Sequence, residues 1–66
     1  MEIRFNGETA HIEGAMSLVE LLAQMPDLPD NYAVAVNENF VPRTAYADTQ
    51  VNAGDDVELL VPMQGG

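Results

Sequence analysis

The chain has 66 residues, 47% of them hydrophobic, with eleven acidic residues against two arginines and a formal net charge of −9. That length gives one small domain with a modest core, since so short a chain buries only about 60% of its unfolded surface; the apolar content is too high for disorder. It contains no cysteine and no lysine, which excludes disulfides and thiolate metal sites and argues against nucleic acid or an anionic membrane as partner, because phosphate binding is carried by Lys and Arg.

Met1 to Phe5 alternates apolar Met1, Ile3 and Phe5 with Glu2 and Arg4, the period of a half-buried strand. It lacks the basic start and apolar run of a signal peptide, and no apolar stretch is long enough to span a bilayer, so the cytoplasm is the expected compartment. Asn6-Gly7 is a strong hairpin signal, because both positions of the turn need positive φ. Glu8 to Ile12 then reads as the returning strand, with Ala10 and Ile12 inward, and Gly14-Ala15 breaks it.

Ser17-Leu18-Val19-Glu20 predicts a capping box at a helix start. Leu18, Leu21, Leu22 and Met25 fall on one stripe of that helix, which Pro26 ends, and Asp27 to Asn31 is a loop with turn chemistry. Tyr32-Ala33-Val34-Ala35-Val36 is a third strand whose alternation is large against small, so one side packs the core and the other lies under something thin. Asn37-Glu38-Asn39 turns the chain, and Pro42 confines the short Phe40-Val41 strand to an edge. Thr44 to Asp48 is expected to form a single helical turn, and Ala53 to Asp56 is a tight turn into a last strand, Val57 to Val61. Two strands, a helix and further strands, each apolar on one face, call for an α+β layer pair.

The sequence ends Met63-Gln64-Gly65-Gly66. Glycine averages roughly 7% of residues, so two in these positions by chance is roughly a one-in-200 event, which favours a functional tail. A self-contained active site is hard to assemble beside it. His11 stands at an outward strand position, the hydroxyl of Ser17 serves the helix cap, and one histidine without cysteine does not make a zinc site. The acids lack calcium-loop spacing, and no glycine-rich loop opens a helix. The chemistry that remains is the main-chain carboxylate of Gly66, ionised at neutral pH and a poor electrophile until a partner converts it to an anhydride. With no lysine, any joining of the tail makes this chain the donor.

These residues resemble a family. Asn6-Gly7 between strands, Ser17 to Leu22, Ala33 to Asn37, Phe40-Val41-Pro42-Arg43, Gly54 to Glu58 and Gly65-Gly66 occur in the order found in thiamine-biosynthesis sulfur carriers, small β-grasp (ubiquitin-like) proteins. The molybdopterin-synthase small subunit shares fold and diglycine but is less similar around Val41-Pro42-Arg43. Two departures stand out. Tyr46 replaces a tryptophan common in the family and reads as a packing substitution, and Pro62-Met63 is an unusual approach to the tail that could alter partner fit.

The resemblance implies a mixed sheet of four to five strands, first and last parallel and adjacent, with one main helix across one face. It also implies a body over residues 1–62 and a flexible diglycine tail over 63–66. The chain would then be no enzyme but a protein co-substrate that itself binds no cofactor or metal. An E1-like adenylating enzyme would activate Gly66 with MgATP, and a sulfur donor such as a cysteine desulfurase would convert the adenylate to a thiocarboxylate. Thiazole synthase would take up that sulfur, with Gly65, Gln64 and Met63 threading the partners' active sites. Leu60, Glu58 and Phe40 are candidate partner contacts, although Leu60 could instead pack under the Phe40–Asp48 segment. Arg43 is expected to pair with a local carboxylate. A carrier for molybdopterin or another pathway, a ubiquitin-like modifier and a plain interaction domain remain alternatives.

Overall fold

A computed structural model of the chain describes residues 1–25 and 28–61. β1 (Glu2–Phe5) and β2 (Glu8–His11) pair antiparallel, with Phe5 opposite Glu8, so Asn6 and Gly7 alone make the turn at φ 53° and 82°. Both angles are left-handed, and asparagine and glycine are the residues that enter this region at least cost. A second two-residue turn joins β4 (Ala33–Val36) to β5 (Asn39–Val41), with Asn37 at φ 53° and Glu38 at φ 70°. The expected three-residue turn is therefore one residue shorter: Asn39 already pairs with Val36 as the first residue of β5.

The capping box forms as the sequence predicts. The Glu20 N–H donates to Ser17 Oγ at 3.2 Å, and the Ser17 N–H donates to Glu20 Oε1 at 3.1 Å. These bonds hold the Glu20 carboxyl below its ordinary value, the backbone donor contributing most and the Ser17 hydroxyl next. α1 (Leu18–Ala23) is shorter than the apolar stripe suggested, since Gln24 caps it and Met25 lies past its last turn. Six residues are too few for a helix to be stable alone, so burial of Leu18, Leu21 and Leu22 against the sheet must hold it.

The main sheet has the order β2-β1-β7-β4-β5, with β7 (Asp56–Leu60) in the centre. β7 runs parallel to β1 and antiparallel to β4, as the family resemblance implied. This is the β-grasp arrangement: one helix across one face of a five-stranded mixed sheet. Ile3, Val34, Val41 and Val57 point from the sheet into the core, where they join the helix leucines, Ile12, Val51 and Tyr46. Tyr46 belongs to a 3-10 helix (Arg43–Asp48) and is only 7% exposed, so it does pack the core.

One feature escaped the sequence reading. β3 (Met16–Ser17) pairs antiparallel with β6 (Gln50–Val51) in a separate two-residue ladder beside the helix. Two residues carry no alternation that a period could reveal. The ladder brings the helix start under the loop after the 3-10 helix, where the Leu18 N–H donates to the Thr49 carbonyl at 2.7 Å. Other boundaries shift by a residue: Tyr32 precedes β4, Ile12 follows β2, and the last strand covers 56–60, not 57–61. Among the described residues no helix is long and apolar enough to cross a membrane. The expected division between body and tail at residue 62 falls outside the described residues.

Candidate functional site

β7 carries the chain toward its end and is fixed from both sides at its start. The Arg4 N–H donates to the Asp55 carbonyl at 2.9 Å, and the Asn6 N–H to the Val57 carbonyl at 2.9 Å. On the other side the Asn37 N–H donates to the Asp56 carbonyl at 2.7 Å, and Asn37 Oδ1 accepts from the Asp56 N–H at 3.0 Å. Asn37 Nδ2 also reaches Asp55 Oδ1 at 3.1 Å. Farther along, Asn6 Oδ1 accepts from the Leu59 N–H at 2.8 Å. The asparagines of both hairpin turns thus do two things: each adopts a positive φ, and each ties its turn to β7.

The turn that feeds β7 is equally defined. The Asp55 N–H donates to the Asn52 carbonyl at 3.0 Å while Gly54 holds φ 85°, the geometry of a type II turn, in which glycine is favoured. Asp55 Oδ2 closes the loop by accepting from the Asn52 N–H at 2.8 Å. The adjacent acids Asp55 and Asp56 are therefore held by turn and strand bonds, with no arrangement suited to acid–base catalysis.

Strand alternation assigns the outer face. In register, Glu58 lies opposite Ala35, and Ala35 opposite Phe40; Leu60 lies opposite Ala33. All five are therefore on the side of the sheet away from α1. The large-against-small pattern of β4 now has its physical reason: Val34 is fully buried inward, while Ala33 and Ala35 floor a shallow trough between β7 and β5. Leu60 is 52% exposed and Phe40 67%, so Leu60 is not packed beneath the Phe40–Asp48 segment, and that alternative is overturned. Leu60, Glu58 and Phe40 are brought together on one open face.

Val61 departs from the expected alternation. Strict alternation over Val57 to Val61 would turn it inward with Val57 and Leu59, yet it is 55% exposed, because the ladder ends at Leu60 and no longer dictates its direction. Beside it lies an open depression of about 420 Å³ lined by Asn31, Tyr32, Ala33, Arg43, Leu60 and Val61. Arg43 lies over the Tyr32 ring, 5.7 Å from guanidinium carbon to ring centroid, within cation–π range. Among the described residues Arg43 thus meets an aromatic ring where a carboxylate was expected. The sequence alone does not mark Tyr32, Ala33, Arg43 and Val61 as site residues. The available signal was that the Pro42-Arg43 segment and the loop before β4 both lead to the end of β7, which only the strand order reveals.

The remaining candidates, Met63, Gln64, Gly65 and Gly66, lie outside the described residues. The point of departure is nevertheless clear: an apolar, solvent-facing end of a central strand, beside a single arginine, in a body whose net charge is strongly negative.

The chain matches the model of the ThiS family over residues 3–66. The chain belongs to the ThiS family. The sulfur carrier protein ThiS of Escherichia coli K12 is 32% identical over 66 residues, covering the whole of both chains. A thiazole synthase of Paramagnetospirillum magneticum is also 32% identical over 66 residues, but there the chain spans only 20% of the relative. The crystal structure of the thiamine biosynthesis protein ThiS from Geobacter metallireducens superposes with a TM-score of 0.86 at 32% identity, covering all of both chains. The solution structure of a thiamine biosynthesis protein from the same organism gives 0.77 at 30% identity, over all of this chain and 88% of the other. The ThiS match includes Gly65 and Gly66, so the diglycine lies inside the segment the family shares.

Proposed function

We propose that this ThiS-family chain is a sulfur carrier in thiamine biosynthesis, and that the sulfur is carried on the carboxyl carbon of Gly66. An E1-like enzyme joins the Gly66 carboxylate to the α-phosphorus of MgATP, releasing pyrophosphate and leaving an acyl adenylate. The outer sulfur of a persulfide formed by a cysteine desulfurase attacks the same carbon and AMP leaves. A thiol then cleaves the S–S bond of the resulting acyl disulfide, is itself oxidised to a disulfide, and a thiocarboxylate remains. Thiazole synthase accepts that sulfur. The chain itself binds no nucleotide in this scheme; it is a protein co-substrate.

The observation that supports this reading best is the full-length family match running through Gly65-Gly66, on a body whose last strand ends on an exposed apolar face. Leu60, Glu58 and Phe40 are proposed to contact the partner enzymes, with Met63, Gln64 and Gly65 entering their active sites. A likeness to one-fifth of a thiazole synthase supports that enzyme as the acceptor. Net charge of −9 favours partner faces that are basic, since complementary potentials speed encounter.

The test is reconstitution with MgATP, the activating enzyme and a desulfurase, followed by intact-mass measurement. The reading expects one oxygen-for-sulfur exchange, dependent on ATP and located in the fragment ending at Gly66. An unchanged mass, or adducts of this chain on other proteins, would refute it, the latter in favour of a ubiquitin-like modifier.

A further inference from the structure

Both Lys/Arg-type side chains of this chain are arginines, Arg4 and Arg43, and it has no lysine. The distinction is chemical. A lysine amine loses its proton with a reference pKa near 10.4 and then acylates readily, whereas a guanidinium stays protonated and does not. Location sharpens the point. Arg43 lines the same depression as Leu60 and Val61, where the last strand gives out. Residues 62–66 extend at most roughly 17 Å beyond it, so any side chain in that depression is within reach of the Gly66 carboxyl group.

We propose that the tail-side depression is kept free of amines so that the activated carboxyl group of Gly66 cannot acylate its own body, and that Arg43 is the cation this constraint permits there. This rests on the proposed activation of Gly66. A lysine at position 43 would present its amine at the millimolar effective concentration typical of a short tether. Its nitrogen would attack the Gly66 carbonyl carbon, the bond to the leaving group would break, and one proton would pass to solvent. The product is a closed loop lacking one water relative to the free acid, and it can no longer carry sulfur. Arg43 supplies the same positive charge, held over Tyr32, without that reaction. The Met1 amine is engaged elsewhere, donating to the Ile12 carbonyl at the opposite end of β1.

The inference can be tested without the activating enzyme, which separates its failure from that of the functional reading. The full chain is prepared as a thioester at Gly66 in four forms: wild type, Arg43→Lys, Asn31→Lys and His11→Lys. Asn31 lines the depression and is exposed, so it provides a second lysine should Arg43→Lys fold poorly. His11 is exposed and level with residue 54, two strands from β7, which places it roughly 25 Å from Val61. In mildly alkaline buffer, Arg43→Lys and Asn31→Lys are expected to give the water-loss product at a rate independent of protein concentration. At micromolar protein this rate should exceed any intermolecular reaction by on the order of 100-fold. Wild type and His11→Lys should give only the hydrolysed acid. If both depression variants hydrolyse like wild type, or if His11→Lys closes as fast as they do, the proposal is wrong. A parallel arm with MgATP and the activating enzyme reports on the activation of wild-type Gly66 alone.

Discussion

The two ends of β7 are built for different purposes. At its start, Val57 is fully buried, its neighbours are bonded to both hairpin turns, and it is paired on one side with β1 and on the other with β4. Three residues later, Leu60 and Val61 are about half exposed beside an open depression. The contrast teaches that the first half of the last strand is anchored in the core and to both hairpin turns. That leaves the second half free to present apolar surface, which would otherwise be expected inside so small a domain.

The largest loss should come from the anchored end. Val57→Ala removes two methyl groups from a fully buried site, which costs roughly 2–3 kcal/mol once the cavity is included. In thermal unfolding this corresponds to a fall of roughly 10–20 °C for a domain of this size. A loss of under about 0.5 kcal/mol, typical of surface positions, would erase the difference between the two ends.

Next come the asparagine ties. Asn6→Ala should cost about 1–3 kcal/mol in urea unfolding, because it places alanine at positive φ and leaves the Leu59 N–H without its acceptor. Asn6→Gly keeps the turn and loses only the tie, so it should cost about 1 kcal/mol. No loss in Asn6→Gly would mean that the tie to β7 contributes nothing, and equal losses in the two variants would mean that positive φ costs alanine nothing. Glu38→Gly reverses the sign: glutamate at φ 70° is strained, and relieving it should gain up to about 1 kcal/mol.

The smallest effect concerns Glu20, far from β7. Its folded-state carboxyl is held below the ordinary value by the Ser17 bonds. The stability this contributes is fully present above the unfolded-chain value near pH 4.3 and is lost as pH falls through the folded value. Glu20→Gln should therefore flatten the acid side of the stability profile slightly and leave neutral-pH sulfur loading unchanged. An unaltered acid slope would show that the capping box carries no linkage.

Much of the body was legible in the sequence because local chemistry and tertiary need agree there. Asn6-Gly7 makes the turn its composition demands, Ser17 and Glu20 cap the helix they precede, and Leu18, Leu21 and Leu22 bury the face their spacing marks. What could not be read depends on non-local pairing. The Met16–Ser17 ladder with Gln50–Val51 links residues far apart in sequence through strands too short to show a period. The candidate site was half legible for the same reason. Leu60, Glu58 and Phe40 follow from alternation, whereas Tyr32 and Arg43 join Leu60 only because β4 lies between β7 and β5. Arg43 departs from the charge expectation because, among the described residues, it lies over the ring of Tyr32.

The division within β7 is tested most directly by Leu60→Asp, with unfolding midpoint and ATP-dependent sulfur loading measured on the same preparation. Leu60 is 52% exposed, so the midpoint should stay within the few degrees expected of a surface change while loading falls at least about tenfold. A variant that loads sulfur like wild type, or one whose midpoint collapses together with its loading, would contradict the separation of anchored and presenting ends.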